Sequence, residues 1–175
     1  MTRLLALLCL ATLAVPTPSA DFPGRPDPKG LLGSPAPPLE VGPWLHSPPL
    51  GAEELRGKVL LIRWWTDTCP FCAASSAALR ELDRKYRDRG LLVIGVFHPK
   101  PPGDESVERV RRAADRFGFE FPVALDSDWR ALQRWWFDHV GRTWTSVSFL
   151  VDREGVIRYV QPVGEYHLAE GGPHL

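Results

Sequence analysis

Two kinds of apolar pattern alternate along this chain. Val59–Trp64 and Leu91–Phe97 are near-continuous apolar runs, broken only by Arg63 and Gly95, and such runs mark strands buried on both faces. Between them, Leu79, Leu82 and Tyr86 recur at three- and four-residue steps, which predicts a helix over residues 70–88 stopped by Gly90. Val107, Val110, Ala114 and Phe117 predict a second amphipathic helix, ended by Gly118. Phe121–Leu125 reads as a short strand, after which Asp126 or Ser127 can cap a third helix with Trp129, Leu132 and Trp136 facing inward. Val147–Val151 and Val156–Gln161 flank Asp152-Arg153-Glu154-Gly155, the composition of a hairpin turn. Ahead of the first long strand, Leu39–Leu45 predicts a short edge strand and Ala52–Leu55 a single helical turn. The order β-α-β-α-β-α-β-β implies an α/β fold. Its central mixed sheet carries crossover helices and ends in a C-terminal β-hairpin on an antiparallel edge. The chain shows no internal repeat.

Outside this region the pattern changes. Arg3, the apolar stretch Leu4–Val15 and the small, turn-prone Pro16–Ala20 read as a secretory signal over residues 1–20. The stretch is too short for a spanning helix, which needs roughly 20 residues. An uncleaved leader is the alternative, and the one route to a membrane that the sequence offers. Residues 21–38 read as a proline-rich linker, residues 39–165 as one domain and residues 166–175 as a tail. Export to a periplasmic or extracellular compartment implies an oxidising environment.

Composition narrows the function. Lysine plus arginine and aspartate plus glutamate each number 21, so the formal charge is zero and nothing points to nucleic acid or an anionic membrane. The basic stretches Arg80–Arg89 and Arg109–Arg116 are interleaved with acids and read as solvated helix faces.

The candidate chemistry lies in Cys69-Pro70-Phe71-Cys72, directly after the first long strand. The third cysteine, Cys9, lies in the leader, so the mature chain would carry this pair alone. Cys69 falls near the N-cap of the predicted helix and Pro70 at its first position, where a missing N–H costs nothing. The unpaired amides and the helix dipole lower the Cys69 pKa below the free value of about 8.5. Cys72 lies one turn inside and is more shielded. The expected roles follow: Cys69 attacks a disulfide, and Cys72 resolves the mixed disulfide by closing a redox-active Cys69–Cys72 bond. No bound cofactor is required, and the partners would be protein thiol or disulfide clients and an upstream redox donor protein, acting on a monomer. Zinc sites also use paired cysteines, but a structural site needs two further Cys or His ligands at short spacing, and the histidines are scattered. A metal-binding or copper-delivery module using the dithiol with a histidine such as His98 remains the rival.

At this point the chain resembles the thioredoxin-like superfamily, in particular the exported TlpA-like, redoxin branch, and most of all the periplasmic thioredoxin-like domain of DipZ-type proteins. The carrying segments are Leu55-Arg56-Gly57-Lys58-Val59-Leu60-Leu61, Trp65-Thr66-Asp67-Thr68-Cys69-Pro70-Phe71-Cys72, Lys85 to Val96, Phe121-Pro122-Val123-Ala124-Leu125-Asp126 and Phe149 to Gly155. The resemblance implies a thioredoxin fold with helices on both faces of the sheet, and thiol–disulfide exchange. It places Trp65 as an active-site tryptophan packing beside the dithiol.

Three departures follow from the same resemblance. Ser146 stands where the family has a cis-proline facing the dithiol, which puts client docking in question and eases metal access. A redox-weak docking domain is therefore a further alternative. Arg63 stands where the family buries Asp or Asn below the second thiol. A cation there would favour thiolates and make the disulfide more oxidising, unless the side chain snorkels to the surface. The family's closing helix is expected to be truncated or absent, since a short tail follows Gln161.

Other residues carry weaker expectations. His98, after the second long strand, reads as a loop histidine or a partner of Cys69. His139 reads as a helix C-terminal residue. Asp67 reads as solvated or as a repulsive modulator of Cys69. Trp129 and Trp136 read as core, and Trp135 and Trp144 as candidates for an apolar docking surface beside the dithiol. A peroxidase pattern is missing, since Ile62 stands where that chemistry wants proline.

Overall fold

The structure is a computed structural model and describes residue 28 and residues 30–162. The expected leader with Cys9, the start of the linker, the tail with His167 and His174, and the question of a closing helix all lie outside those residues. Among the described residues no helix is long and apolar enough to cross a membrane.

Among the described residues six strands form one sheet, in the order β1-β4-β3-β2-β5-β6. The elements are β1 (Trp44–Leu45), α1 (Ala52–Leu55), β2 (Val59–Trp65), α2 (Pro70–Tyr86), β3 (Leu91–Phe97), α3 (Val107–Phe117), β4 (Val123–Leu125), α4 (Arg130–Leu132), α5 (Asp138–Val140), β5 (Ser148–Val151) and β6 (Ile157–Gln161). Strands β2, β3 and β4 run parallel, while β1, β5 and β6 add antiparallel edges, so the sheet is mixed as expected. The expected hairpin joins β5 to β6: Asp152 N–H donates to the Val156 carbonyl at 2.9 Å, and Gly155 takes the left-handed conformation its turn requires (φ 79°).

Strand periodicity divides the core. Leu60, Ile62 and Trp64 of β2 face a cluster with Trp135, Trp136 and Phe149, whereas Leu61 and Trp65 face a second cluster with Cys72, Val110 and Phe117. Helices α2 and α3 cover the second face, and the segment from α4 to α5 covers the first. Arg63 belongs by parity to the Trp65 face, which is the face of α2.

Helix boundaries follow local chemistry. Helix α2 ends in a 3-10 turn, Arg87–Arg89, and Gly90 stops it at φ 93°. The Ser106 hydroxyl accepts from the Arg109 amide to cap α3. Trp129, not Asp126 or Ser127, holds the N-cap position of α4 and makes no side-chain cap bond; the Asp126 carboxylate instead reaches in from before the helix, accepting from the amides of Ala131 and Leu132 and from the Trp64 indole. The residues between α4 and α5, Gln133–Phe137, form a π-helical turn. That wide turn lets the consecutive Trp135, Trp136 and Phe137 all point into the core. Trp135 therefore does not flank the dithiol, contrary to expectation. Trp129 precedes α4 in a left-handed conformation and donates its indole N–H to the Pro99 carbonyl at 2.7 Å, half-buried against the first cluster.

The segment read as linker is docked onto the domain over its described part. Leu31 is buried in the first cluster, and the amides of Gly33 and Ala36 donate to the carbonyls of Ile157 and Gly155, both at 2.8 Å. One leucine among prolines and glycines carries no periodicity, so the pattern could not reveal this packing. The edge strand expected over Leu39–Leu45 shrinks to Trp44–Leu45.

Candidate active site

Strand β2 ends at Trp65, and three residues later the chain turns into α2 with Cys69 as its N-cap, in extended conformation, and Pro70 at the first helical position. The amides of Cys72 and Ala73 donate to the Cys69 carbonyl at 3.1 and 3.2 Å, which fixes the first turn under the sulfur. Cys69 is half-buried and Cys72 is 2% exposed, and both thiols are free.

The two sulfurs differ in electrostatics. The Cys69 thiol is pushed down from 9.0 to about 5, chiefly because the Cys72 thiol donates to its thiolate. The Ser146 hydroxyl and the backbone amides of Cys72 and Phe71 add to this, against the cost of burial. Cys72 is pushed far above the ordinary thiol range, because its S–H is held as the donor to Cys69 and because it is buried. The Arg63 guanidinium opposes that rise in part. Arg63 is 1% exposed, so it does not snorkel to the surface; its Nη1 donates to the Ser148 hydroxyl at 3.2 Å.

Ser146, at the foot of β5, touches both sulfurs. Its Oγ lies 3.2 Å from Cys72 Sγ and donates to Cys69 Sγ at 3.6 Å. The cis peptides among the described residues are Gly42–Pro43 and Lys100–Pro101, so the bond before Ser146 is trans. The hydroxyl reaches the dithiol from a trans backbone.

The remaining expected residues scatter. Trp65 is buried with Phe97, Phe117 and Phe119 around its ring, in the same core cluster as Cys72. Phe71 and Trp144 are exposed, at 48% and 59%. Phe71 lies between the cysteines in sequence, and Trp144 precedes Ser146 by two residues. His98 is fully buried, packed edge-on against Trp129 at 5.6 Å on the side of the first cluster, and burial pushes its pKa down to about 3. It does not join the sulfurs: among the described residues no group of three His, Cys, Asp or Glu side chains could hold a metal ion. The rival reading with His98 as third ligand therefore has no ligand set there. His139 sits exposed near the Arg134 carbonyl at the end of its helix, as expected.

Sequence reasoning missed the clamp on the loop before Cys69. Arg109 of α3 donates through Nε and Nη2 to the two Asp67 carboxylate oxygens, both at 3.1 Å, and also pairs with Glu105. Arg116 donates to the Asp67 carbonyl at 3.2 Å. Asp67 is thus neither solvated nor a free negative neighbour of Cys69. Its partner lies 42 residues away, and no local pattern points there.

The chain is similar to known proteins. A sequence model of the Redoxin family matches residues 33–170. Protein DipZ of Mycobacterium bovis is 30% identical over 149 residues, covering 83% of this chain and 19% of DipZ. Thiol-disulfide oxidoreductase ResA of Bacillus thuringiensis is 28% identical over 113 residues, 65% of this chain and 59% of ResA. The chain thus spans about a fifth of the one relative and under two thirds of the other. Among solved structures, a thiol-disulfide isomerase from Corynebacterium glutamicum superposes with a TM-score of 0.62 at 28% identity, covering 76% of this chain and 89% of that one.

Proposed function

This chain belongs to the Redoxin family, with a thioredoxin fold and thiol–disulfide oxidoreductases among its relatives, and on that premise we propose that it is an exported oxidoreductase exchanging disulfides with protein clients. Cys69 is the nucleophile and Cys72 the resolving thiol. The observation that carries this reading is the half-buried Cys69 sulfur at the N-cap of α2, favoured as an anion by the hydrogen bond from the free Cys72 thiol. The Cys69 thiolate attacks a client disulfide and expels one client sulfur as thiolate. Cys72 then attacks Cys69, releases the second client sulfur and leaves the Cys69–Cys72 disulfide. Electrons enter or leave through the dithiol of a partner protein. The exposed ring of Phe71, between the two cysteines in sequence, and that of Trp144, two residues before Ser146, support a peptide rather than a small polar substrate, because both offer apolar surface. Export rests on the leader read over residues 1–20.

Two measurements test the reading. Cys72→Ser protein should accumulate a mixed disulfide with a disulfide-bonded peptide, seen as a mass increment on Cys69, while Cys69→Ser should not. Alkylation of Cys69 should follow a titration midpoint near about 5. A midpoint at the ordinary thiol value, or no adduct in either variant, would defeat the proposal.

A further inference from the structure

The resolving step poses a proton problem. Cys72 reacts only after losing its proton, yet it is buried, and burial disfavours its thiolate whatever the state of Cys69. The groups acting on its sulfur are Cys69, the Arg63 guanidinium, the Ser146 hydroxyl and the Thr66 backbone. The guanidinium carries donors only and cannot take a proton. Once Cys69 is tied up in a mixed disulfide, its thiolate no longer accepts from Cys72. The acceptor that remains is Ser146 Oγ, 3.2 Å from Cys72 Sγ. The same oxygen already directs its own hydrogen towards Cys69 Sγ at 3.6 Å. A hydroxyl accepts and donates at once, so it can pass a proton without carrying a charge. A proline at this position would offer neither function.

We propose that Ser146 is the proton relay of the resolving step. The proposal rests on the oxidoreductase reading above. In the mixed disulfide, the Cys72 S–H proton moves to Ser146 Oγ while the Ser146 hydroxyl proton moves to the client sulfur bonded to Cys69. The Cys72–Cys69 bond forms as the Cys69–client bond breaks. The client sulfur leaves as a neutral thiol, the protein dithiol is oxidised by two electrons to its disulfide, and the serine is regenerated. The charged and titratable groups meeting at this point are the two thiols of α2 and Arg63 of β2.

The experiment compares the full chain with Ser146→Ala and Ser146→Thr, each shown by thermal unfolding to be folded. Reduced protein is mixed with a disulfide-bonded peptide, quenched in acid, and formation and decay of the mixed disulfide are followed separately by mass. Ser146→Ala should slow decay by about a hundredfold or more, the low end for loss of acid–base assistance. Its decay should also rise about tenfold per pH unit, because bulk hydroxide must then take the Cys72 proton. Ser146→Thr keeps the hydroxyl and should stay near the parent rate with the parent's shallow pH profile. The unaltered protein should resolve more slowly in heavy water at matched thiolate fraction. Parent-like decay in Ser146→Ala, equal slowing in Ser146→Thr, or equal rates in light and heavy water would each overturn the relay. Failure of the parent to form any mixed disulfide would instead overturn the oxidoreductase reading beneath it.

Discussion

Cys69 and Cys72 owe their unequal acidity chiefly to each other and to unequal burial, while Ser146, 74 residues beyond Cys72, reaches both sulfurs and the Arg63 guanidinium works against the difference. Arg63 is the sharpest case. A buried guanidinium acting on the Cys72 sulfur stabilises the dithiol in its ionised, reduced form, which makes the disulfide a stronger oxidant. The reduction potential of this protein should accordingly lie above the roughly −270 mV of thioredoxin. Arg63→Met keeps the length and removes the charge, and should lower the potential by on the order of 30 mV, equivalent to about 1.4 kcal/mol. Equilibration with glutathione measures both, and an unchanged potential in the variant would remove Arg63 from the account. The cysteine pair itself was legible from its spacing after a strand. Arg63 was flagged but ambiguous, because burial or snorkelling depends on what packs over the strand. The parity of β2 and the Ser148 hydroxyl decide it.

Helices and strands were the most legible level. Leu91–Phe97 and Val107–Phe117 occupy the residues that periodicity marked, since buried strands and amphipathic helices write their burial directly into the chain. The elements that went astray are those shaped by neighbours. The π-helical turn buries Trp135 because Trp64 and Phe149 offer it ring contacts at 5.6 and 5.2 Å, and no spacing rule foresees an extra residue in a turn. Gly95, in the middle of β3, shows another such constraint. A Cβ there would stand 2.9 Å from Trp65 Nε1 and 3.3 Å from a Phe121 ring carbon, both in the packed second cluster. Gly95→Ala should therefore cost about 1–3 kcal/mol, the range for overpacking a core. A lower urea midpoint at unchanged slope would show it, and an unshifted midpoint would mean the indole can move aside.

For the whole molecule, the dithiol couples redox state to stability. Cys69 titrates near 5 when folded and reduced, against 9.0 for an ordinary thiol. A lowered folded-state pKa contributes stability that is fully present above the unfolded value and lost as pH falls through the folded one. The reduced form should thus gain stability relative to the oxidised form as pH rises from about 5 to about 9. Above that window the raised Cys72 acts in the opposite sense, because it stabilises the fold only while protonated. Melting temperatures of both redox forms across this range would reveal the trend, and a constant difference would contradict the lowered Cys69 pKa. The sequence by itself determined the α/β alternation, the hairpin, the position of the dithiol at a helix N-terminus and the family resemblance, because each rests on local spacing and on burial repeated along a strand or helix. Tertiary structure alone decided that Ser146 bridges both sulfurs, that Arg109 secures Asp67, that Leu31 joins the core and that His98 faces away from the dithiol. Those are contacts between segments brought together only when the sheet orders its strands, and the energies that select them are shared among partners far apart in the chain.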